Sequence, residues 1–305
     1  MDITTIITYL KGFIPTVLTL LMMLSPAFDT EATPYKAENP DELVASFAVV
    51  SDIHVETNNP ESYYNFKSVL EGIKVGENID AAIYTGDNVM NGQFLENMFF
   101  YLGVRGIMPS DNNFVVMGNH DIGNGTGVFE EHKNNFITNN RLFLGNNVGE
   151  GYYYRVVNGC YLIFIASEDL TVSECVMSKT QYNWLKGVLD EAESKGAPTI
   201  VFNHHPADSE WFRSIPEGAL DADALTGLLK QYDILYVHGH IHDDLDEDNF
   251  YEIDGVKSIN LPRCTEITEY AAGDGIVIEV YEDEIVVRGR DFINGEWIED
   301  LRYTY

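Results

Sequence analysis

Five short apolar segments of this chain each run directly into a group of Asp, Asn or His side chains. The segments cover residues 47–50, 81–84, 114–117, 200–202 and 234–237. The polar groups behind them include Asp52, Asp87, Asn119, His204 and His240. Short runs rich in branched and aromatic residues predict buried strands. The pattern is therefore typical of a sheet that carries functional loops at its strand ends.

Helical patterns lie between these strands, most clearly over residues 178–193, where apolar side chains recur on one face. Ser178 with Gln181 makes a capping-box pattern at the start of this helix, and Gly196 provides a stop. Because strands and helices alternate along the chain, we expect a layered α/β sheet.

The C-terminal part of the chain changes character. Residues 275–281 and 285–290 are strand patterns joined by an acidic turn, with no helix between them. They predict a hairpin that completes a second sheet. Residues 44–305 together have the length of one main catalytic domain.

Residues 1–28 are expected to be an export signal or a membrane anchor. The run 12–28 is uncharged and largely apolar, Lys11 precedes it, and residues 25–27 are suited to cleavage. This favours an exported or membrane-tethered extracytoplasmic protein. The alternative is a cytoplasmic protein in which the run is an amphipathic or packing helix, since its length is near the lower limit for spanning a bilayer. Residues 29–43, which are acidic and contain two prolines, predict a linker.

The net charge of the chain bears on which partners it can bind, and the spacing of its cysteines bears on what they do. The formal net charge is −31, from 49 acidic and 18 basic residues, and no Lys/Arg cluster marks a basic groove. Such a field repels polyanions, so a nucleic-acid partner is disfavoured and a small molecule is favoured. Cys160, Cys175 and Cys264 are widely spaced and form no CxxC pair, so we expect them to be packing residues.

The polar groups contain the residue types that bind divalent metals. Asp52-Ile53-His54 supplies a carboxylate and an imidazole on alternate residues, and the carboxylate of Asp87 follows a glycine and can bridge two cations. In Gly118-Asn119-His120-Asp121, an amide oxygen stands next to a histidine that can remain unligated and donate protons. Taken singly, each of these motifs is short enough to be an ordinary surface turn.

Two histidine pairs complete the set of motifs. They are His204-His205, which precedes Pro206, and His240-Ile241-His242. Two such pairs at strand ends are hard to explain as packing. His132 and His238, by contrast, are interpreted as ordinary core or surface histidines.

Taken in order, D-x-H, GD, GNHD, H-x-P and GHxH resemble the calcineurin-like metallophosphoesterase superfamily from about Val44 onward. The resemblance implies a four-layer α/β/β/α sandwich of two mixed sheets with a dinuclear metal site. By similarity, one metal is bound by Asp52, His54 and His242, the other by Asn119, His204 and His240, and both by Asp87. The two ions would be divalent or mixed-valence Mn, Fe or Zn, and the sequence does not decide which.

The resemblance also implies a mechanism, in which metal-bound water attacks phosphorus and His120 protonates the leaving group. Asp121 either orients His120 or caps the following turn. His205 is a candidate substrate contact. Arg141 is another, and it lies in a stretch, 122–154, that either decorates the surface or forms a lid over the metals.

The match looks closest to the class III cyclic-nucleotide phosphodiesterase and glycerophosphodiesterase type. Met90 stands where purple acid phosphatases have a metal-ligating Tyr, and the arginine of the protein phosphatase motif GDxVDRG is absent. We therefore expect a phosphodiesterase acting on a small phosphate ester. A nonspecific exported phosphomonoesterase is the alternative, and a non-catalytic metal-dependent protein that binds a phosphorylated ligand is the alternative of another class. The oligomeric state is left open.

Overall fold

The structure is a computed structural model that describes residues 13–22, 33–74, 79–108, 112–212, 219–265 and 272–305. In these ranges the chain forms two six-stranded sheets and a two-stranded ribbon. Helices cover the outer face of each sheet. The four-layer α/β/β/α sandwich is thus confirmed.

The first sheet has the strand order β14-β13-β12-β1-β2-β3. Strands β1, β2 and β3 are parallel, with β3 at one edge, and β12, β13 and β14 extend the sheet beyond β1 as an antiparallel meander. The bounds are β1 Ala45–Val50, β2 Ala81–Tyr84, β3 Asn113–Val115, β12 Asp274–Val280, β13 Ile285–Asp291 and β14 Glu296–Thr304.

The second sheet has the order β10-β11-β9-β7-β5-β4. Strands β5, β7, β9 and β11 are parallel, and β4 and β10 are antiparallel edges. The bounds are β4 Tyr153–Val157, β5 Cys160–Phe164, β7 Thr199–Phe202, β9 Leu235–His238, β10 Phe250–Ile253 and β11 Val256–Asn260. The ribbon pairs β6 (Met177–Ser178) with β8 (Ala219–Leu220).

Five helices complete the layers: α1 Pro60–Lys74, α2 Phe94–Ile107, α3 Phe129–Asn139, α4 Lys179–Ser194 and α5 Ala222–Leu229. A π-helical turn, Asn140–Leu144, follows α3, and 3₁₀ turns lie at Ser209–Trp211 and Glu247–Asn249. Ser178 caps α4 as expected, because its hydroxyl accepts the N–H of Gln181 at 3.2 Å. The pattern of apolar side chains thus predicted α4 to within one residue.

The core lies between the two sheets and beneath both helix layers. The rings of Phe114 and Phe164, one from each sheet, are 5.6 Å apart, and Tyr84 and Phe100 bring the first sheet against α2 at the same distance. The three cysteines are free and buried, which confirms their packing role.

The C-terminal hairpin was predicted correctly as a pair of strands but assigned to the wrong sheet. Residues Ala45 to Val49 of β1 pair with Val280 to Ile276 of β12, so the hairpin extends the sheet that contains β1. Strand β14 was not predicted. The correction arises because strand partners are chosen by contacts between residues more than 200 positions apart.

The predicted linker, 29–43, is described from residue 33 onward, and there it packs against the protein. Tyr35 is only 1% exposed, and its hydroxyl donates to Glu279 Oε1 at 3.0 Å. The prolines correctly excluded a helix, but this part of the segment is a strap that contacts β12, β13 and β14 of the first sheet instead of a free linker.

The predicted leader is described only in part. Residues 13–22 are helical, and Phe13 and Leu21 are more than half exposed. None of the helices in the described ranges is long and apolar enough to cross a membrane. The residues suited to cleavage, 25–27, lie outside the described residues.

Candidate dinuclear metal centre

The seven predicted metal ligands lie together where parallel strands of both sheets end. Asp52 follows β1, Asp87 follows β2, and the two histidine motifs follow β7 and β9. Nε2 of His242 lies 2.9 Å from Asp52 Oδ1, and Nε2 of His204 lies 3.1 Å from Asp87 Oδ2. The site is therefore assembled from both sheets, and neither sheet alone carries it.

Six of these residues form two groups that share one carboxylate. Within each group the donor atoms lie within 4.8 Å of one another. The groups are Asp52, His54, Asp87 and His242, and Asp87, His204 and His240. A carboxylate common to two such groups is placed to bridge two cations.

The backbone at the site adopts a conformation that most side chains avoid. Five of the seven ligands have positive φ, namely Asp52 (51°), His54 (48°), Asp87 (50°), His240 (77°) and His242 (64°). Such residues are uncommon and concentrate at functional sites, where the surrounding structure enforces them. The strand ends are thus bent so that alternate side chains face the same point.

Two glycines of the motifs are required because buried carboxylates lie very close to their backbone. A Cβ on Gly118 would lie 2.2 Å from Asp87 Oδ1, and a Cβ on Gly239 would lie 2.3 Å from Asp52 Oδ2. Both distances are far below any normal contact. The first residues of GNHD and GHxH therefore leave room for the two buried carboxylates.

Two pairs of histidine nitrogens face each other in the site. His204 Nδ1 lies 3.1 Å from the carbonyl of Thr85 and donates to it, so Nε2 is the nitrogen that faces the other predicted ligands. That Nε2 lies 3.2 Å from His240 Nδ1, and Nε2 of His54 lies 3.3 Å from Nε2 of His242. Such an arrangement suits nitrogens that share a cation.

The side-chain amide of Asn119 is also held so that its oxygen is left for a metal ion. Its Nδ2 donates to the carbonyl of Val172 at 2.7 Å and to Asn124 Oδ1 at 3.3 Å. Its Oδ1 is buried and has no hydrogen-bond partner among the described residues. The orphaned oxygen and the facing nitrogens fit an N/O site for two metal ions.

Electrostatics keep the carboxylates charged in this buried position. Burial would raise the pKa of Asp52 and Asp87, but nearby histidines, His204 foremost, hold both below the usual range. Burial would lower the pKa of His204, but Asp87 and Asp52 raise it to about 9. Burial and His204 lower the pKa of His240 to about 4. The protein alone thus places a positive charge between two carboxylates, where a metal ion would replace it.

His120 stands beside this cluster with one ring nitrogen committed and the other available. Nδ1 lies 2.6 Å from the carbonyl of Met90 and therefore donates to it. Nε2 lies 3.9 Å from Asp87 Oδ2, and the side chain is 19% exposed. The ring can therefore present Nε2 to a ligand bound at the metal centre.

Asp121 fills neither of the two predicted roles. Its buried carboxylate accepts from the N–H of Gly118 at 2.8 Å, from the N–H and Nδ2 of Asn88, both at 3.0 Å, and from the N–H of Val89 at 3.2 Å. It therefore ties the GD loop to the GNHD loop instead of orienting His120 or capping the following turn. Burial and the charge of Asp87 raise the pKa of Asp121 to about 7.

A model of one protein family, described as Calcineurin-like phosphoesterase, matches residues 45–244. The chain belongs to this family. Together with the site, this makes it a metal-dependent phosphoric ester hydrolase with two metal ions, whose identity the residues do not fix. No curated protein matches the chain.

Solved structures resemble this metallophosphoesterase at low sequence identity. A dimetal phosphatase from Danio rerio is 13% identical, with a TM-score of 0.58 over 86% of this chain and 98% of its own. The likeness to this phosphatase shows the fold alone. The sulfate thiohydrolase SoxB of Thermus thermophilus is 11% identical, with a TM-score of 0.49 over 88% of this chain and 59% of its own.

The two predicted substrate contacts occupy different settings in this metallophosphoesterase. His205 is 0% exposed, and its ring lies 4.6 Å from the ring of His240, so it packs behind a ligand and does not face solvent. Arg141 is exposed on the π-helical turn, which is held to α2 by a 2.8 Å bond from Asn140 to Tyr101. No bond or ion pair joins Arg141 to the site in the described ranges. A substrate contact by Arg141 stays a prediction.

The stretch 122–154, predicted either to decorate the surface or to form a lid, has more exposed than buried residues. It contains α3, the π-helical turn and the start of β4, where the hydroxyl of Tyr153 donates to the carbonyl of Val115 at 3.0 Å. The segment touches the site at its beginning, where the N–H of Asn124 donates to the carbonyl of Asn119 at 2.8 Å.

Sequence reasoning missed Trp211 and Arg263. The ring of Trp211 lies 4.8 Å from the ring of His240. Arg263 pairs with Ser51 in an isolated bridge. Burial would lower the pKa of His242, but Asp52 and Asp87 raise it above its usual value against the smaller, lowering effect of the Arg263 charge. Neither residue stands in a motif, so only the fold places it beside the metal ligands.

Proposed function

We propose that this metallophosphoesterase hydrolyses a phosphodiester of a small molecule and is closest in type to the class III cyclic-nucleotide phosphodiesterase and glycerophosphodiesterase members. The observation that carries hydrolysis is the joint placement of the seven predicted ligands and His120, whose Nε2 makes no hydrogen bond among the described residues and lies 3.9 Å from Asp87 Oδ2. Bound metal ions supply a water of lowered pKa and polarise the phosphoryl oxygens.

The residues of this chain have separate tasks in that proposal. One ion would be held by Asp52, His54 and His242, the other by Asn119, His204 and His240, and Asp87 would contact both. His120 in its imidazolium form would donate the Nε2 proton to the leaving oxygen and become neutral, while its Nδ1–H remains on the Met90 carbonyl. The carbonyl orients the ring, so that Nε2 is the nitrogen that carries the transferable proton.

Charge supports a diester over a monoester. A phosphomonoester carries one more negative charge than a diester at neutral pH, and the chain has a net charge of −31. The negative field of the chain therefore opposes binding of a monoester more than binding of a diester.

The test compares bis-nitrophenyl phosphate with nitrophenyl phosphate on the purified enzyme loaded with Mn, Zn or Fe. We expect a higher kcat/KM for the diester with at least one metal. Cleavage of the monoester alone would support the phosphomonoesterase instead. Tight metal binding without turnover of either ester would support a binding protein.

We also propose that the protein is exported or membrane-tethered through its N-terminal segment. The helix over residues 13–22 supports this, since Phe13 and Leu21 are 65% and 57% exposed. Fractionation of cells expressing the whole chain tests the proposal, with a chain beginning at residue 33 as the control. Equal recovery of both from the cytoplasm would contradict it.

A further inference from the structure

The ring of His120 is held by a loop, residues 90–93, that contributes no metal ligand. This loop supplies the Met90 carbonyl that accepts from His120 Nδ1. The carboxylate of Glu96 anchors the loop, because it accepts from the N–H and Nδ2 of Asn91 at 2.9 and 3.0 Å and from the N–H of Gln93 at 3.2 Å. Orientation of His120 therefore depends on where this loop lies.

His132, on the first turns of α3, fills the space between this loop and the loop that carries His120. Three glycines face its ring. A Cβ on Gly92 would lie 2.9 Å from His132 Nδ1, and a Cβ on Gly123 or Gly127 would lie 2.5 Å from Nε2. The ring thus occupies a cradle that only residues without a side chain leave open.

The cradle joins the two loops that orient His120. Gly92 belongs to the loop that offers the Met90 carbonyl, and the N–H of Gly123 donates to the carbonyl of His120 at 3.0 Å. His132 Nε2 lies 3.2 Å from the carbonyl of Thr126. Its Nδ1 is buried without a hydrogen-bond partner among the described residues, so packing against glycine is the main restraint on the ring.

We infer that His132 is a positioning residue for the reaction: its ring wedges the 90–93 loop against the 118–127 loop and so holds His120 in line with the leaving oxygen. The inference rests on the proposed role of His120 as proton donor. His132 touches neither substrate nor metal.

The effect should depend on the leaving group. A positioned acid matters when the departing oxygen is a poor leaving group and matters little when it is a nitrophenolate, which leaves without a proton. A misplaced acid therefore slows cleavage of an alkyl ester more than cleavage of a nitrophenyl ester. Loss of metal ions would slow both.

The first variant is His132→Ala, assayed on methyl nitrophenyl phosphate for the nitrophenolate leaving group and on a dialkyl phosphate for the alkoxide, with metal content measured on the same samples. We expect about a 10-fold to 100-fold loss of kcat on the alkyl ester, a much smaller loss on the nitrophenyl ester, and full metal content. His132→Phe refills the cradle and should recover most of the lost rate.

A pair of glycine variants tests the same packing by changing a glycine that faces His132 instead of His132 itself. Gly127 and Gly159 have φ of 87° and 86°, but a Cβ on Gly159 has nothing within 4 Å. Gly127→Ala and Gly159→Ala therefore share the same backbone strain, and only Gly127→Ala displaces the ring. We expect the leaving-group effect in Gly127→Ala alone, and no further loss when Gly127→Ala is added to His132→Ala.

His120→Ala separates failure of this inference from failure of the proposed function. If His120→Ala slows the alkyl ester selectively and His132→Ala does not, the wedge is wrong and the proposed function stands. If His120→Ala slows both esters equally, the proton-donor role itself fails. Equal loss on both esters together with metal loss in His132→Ala would make that residue purely structural and overturn the inference.

Discussion

Two buried charged clusters of the molecule differ in where their polar atoms find partners. On β12, the carboxylate of Glu279 is 0% exposed and is fully met by the protein. It accepts from the hydroxyl of Tyr35 at 3.0 Å, the N–H of Glu38 at 3.2 Å, the guanidinium of Arg288 and the hydroxyl of Tyr281. The Glu279 carboxylate is therefore satisfied by protein groups alone.

The cluster at the predicted metal site, by contrast, contains polar groups that the protein alone does not satisfy. Asn119 Oδ1 has no partner among the described residues, and His204 faces His240 nitrogen to nitrogen at 3.2 Å. His54 and His242 face each other in the same way at 3.3 Å. A buried polar atom without a partner is costly, so a fold retains such atoms where something else binds them. The comparison separates a cluster that stabilises the fold from one that binds ions.

The largest expected effect comes from removing the shared carboxylate. Asp87→Ala should lower kcat by at least about 10³-fold, since both cations lose a ligand and several kcal/mol of transition-state stabilisation depend on them. Metal analysis should find fewer than two ions per chain. Near-normal activity in this variant would show that the site is wrongly assigned.

A substitution in the Glu279 cluster should lower stability and leave metal binding unchanged. Glu279→Gln removes the nearer counter-charge of Arg288 and leaves it only Glu38, whose Oε1 lies 3.7 Å from Arg288 Nε; the free energy of unfolding should fall by about 3 kcal/mol. Metal content should remain at two per chain. Arg302→Gln is a matched control, because the pair of Arg302 with Glu38 is partly exposed and should contribute only about 0.5 kcal/mol. A loss of metal in Glu279→Gln would break the comparison.

The partly buried carboxylate of Asp274 sharpens the comparison, because among the described residues it has no ion pair and belongs to neither metal group. Burial, Asp291 and Asp244 raise the pKa of Asp274 to about 7. A carboxyl whose pKa is higher in the folded state loses stability as the pH rises from about 4 through 7. Its ionised form therefore opposes folding at pH 8.

Asp274→Asn should accordingly raise the free energy of unfolding at pH 8 by up to about 1 kcal/mol and change little at pH 4. Denaturant unfolding at both values measures it. Asp283→Asn, on an exposed turn, controls for the simple loss of a negative charge. An equal gain in both variants would assign the effect to net charge.

Much of this site was readable from the sequence for a physical reason. Asp52, Asp87 and His204 each follow a run of buried apolar residues, and parallel strands bring such ends to one edge of a sheet. The capped helix α4 was equally visible, because Ser178 and the one-face apolar spacing act within a few residues of each other.

What the sequence did not predict depends on distant or main-chain contacts. The Met90 carbonyl that orients His120 carries no residue-type signal, since every residue has a carbonyl. Tyr35 resembles any residue of an acidic, proline-bearing segment until β12 is folded beneath it. Asp121 was placed in the right motif but given local roles, while its carboxylate accepts from Asn88 in another loop.

The most direct test of the central claim is anomalous scattering from crystals grown with Mn²⁺. The account predicts two peaks about 3.5 to 4 Å apart at the shared edge of the sheets, both in contact with Asp87. One should lie nearest Asp52, His54 and His242, and the other nearest Asn119, His204 and His240. A single peak, or peaks that leave Asp87 uncoordinated, would contradict a dinuclear centre built from these residues.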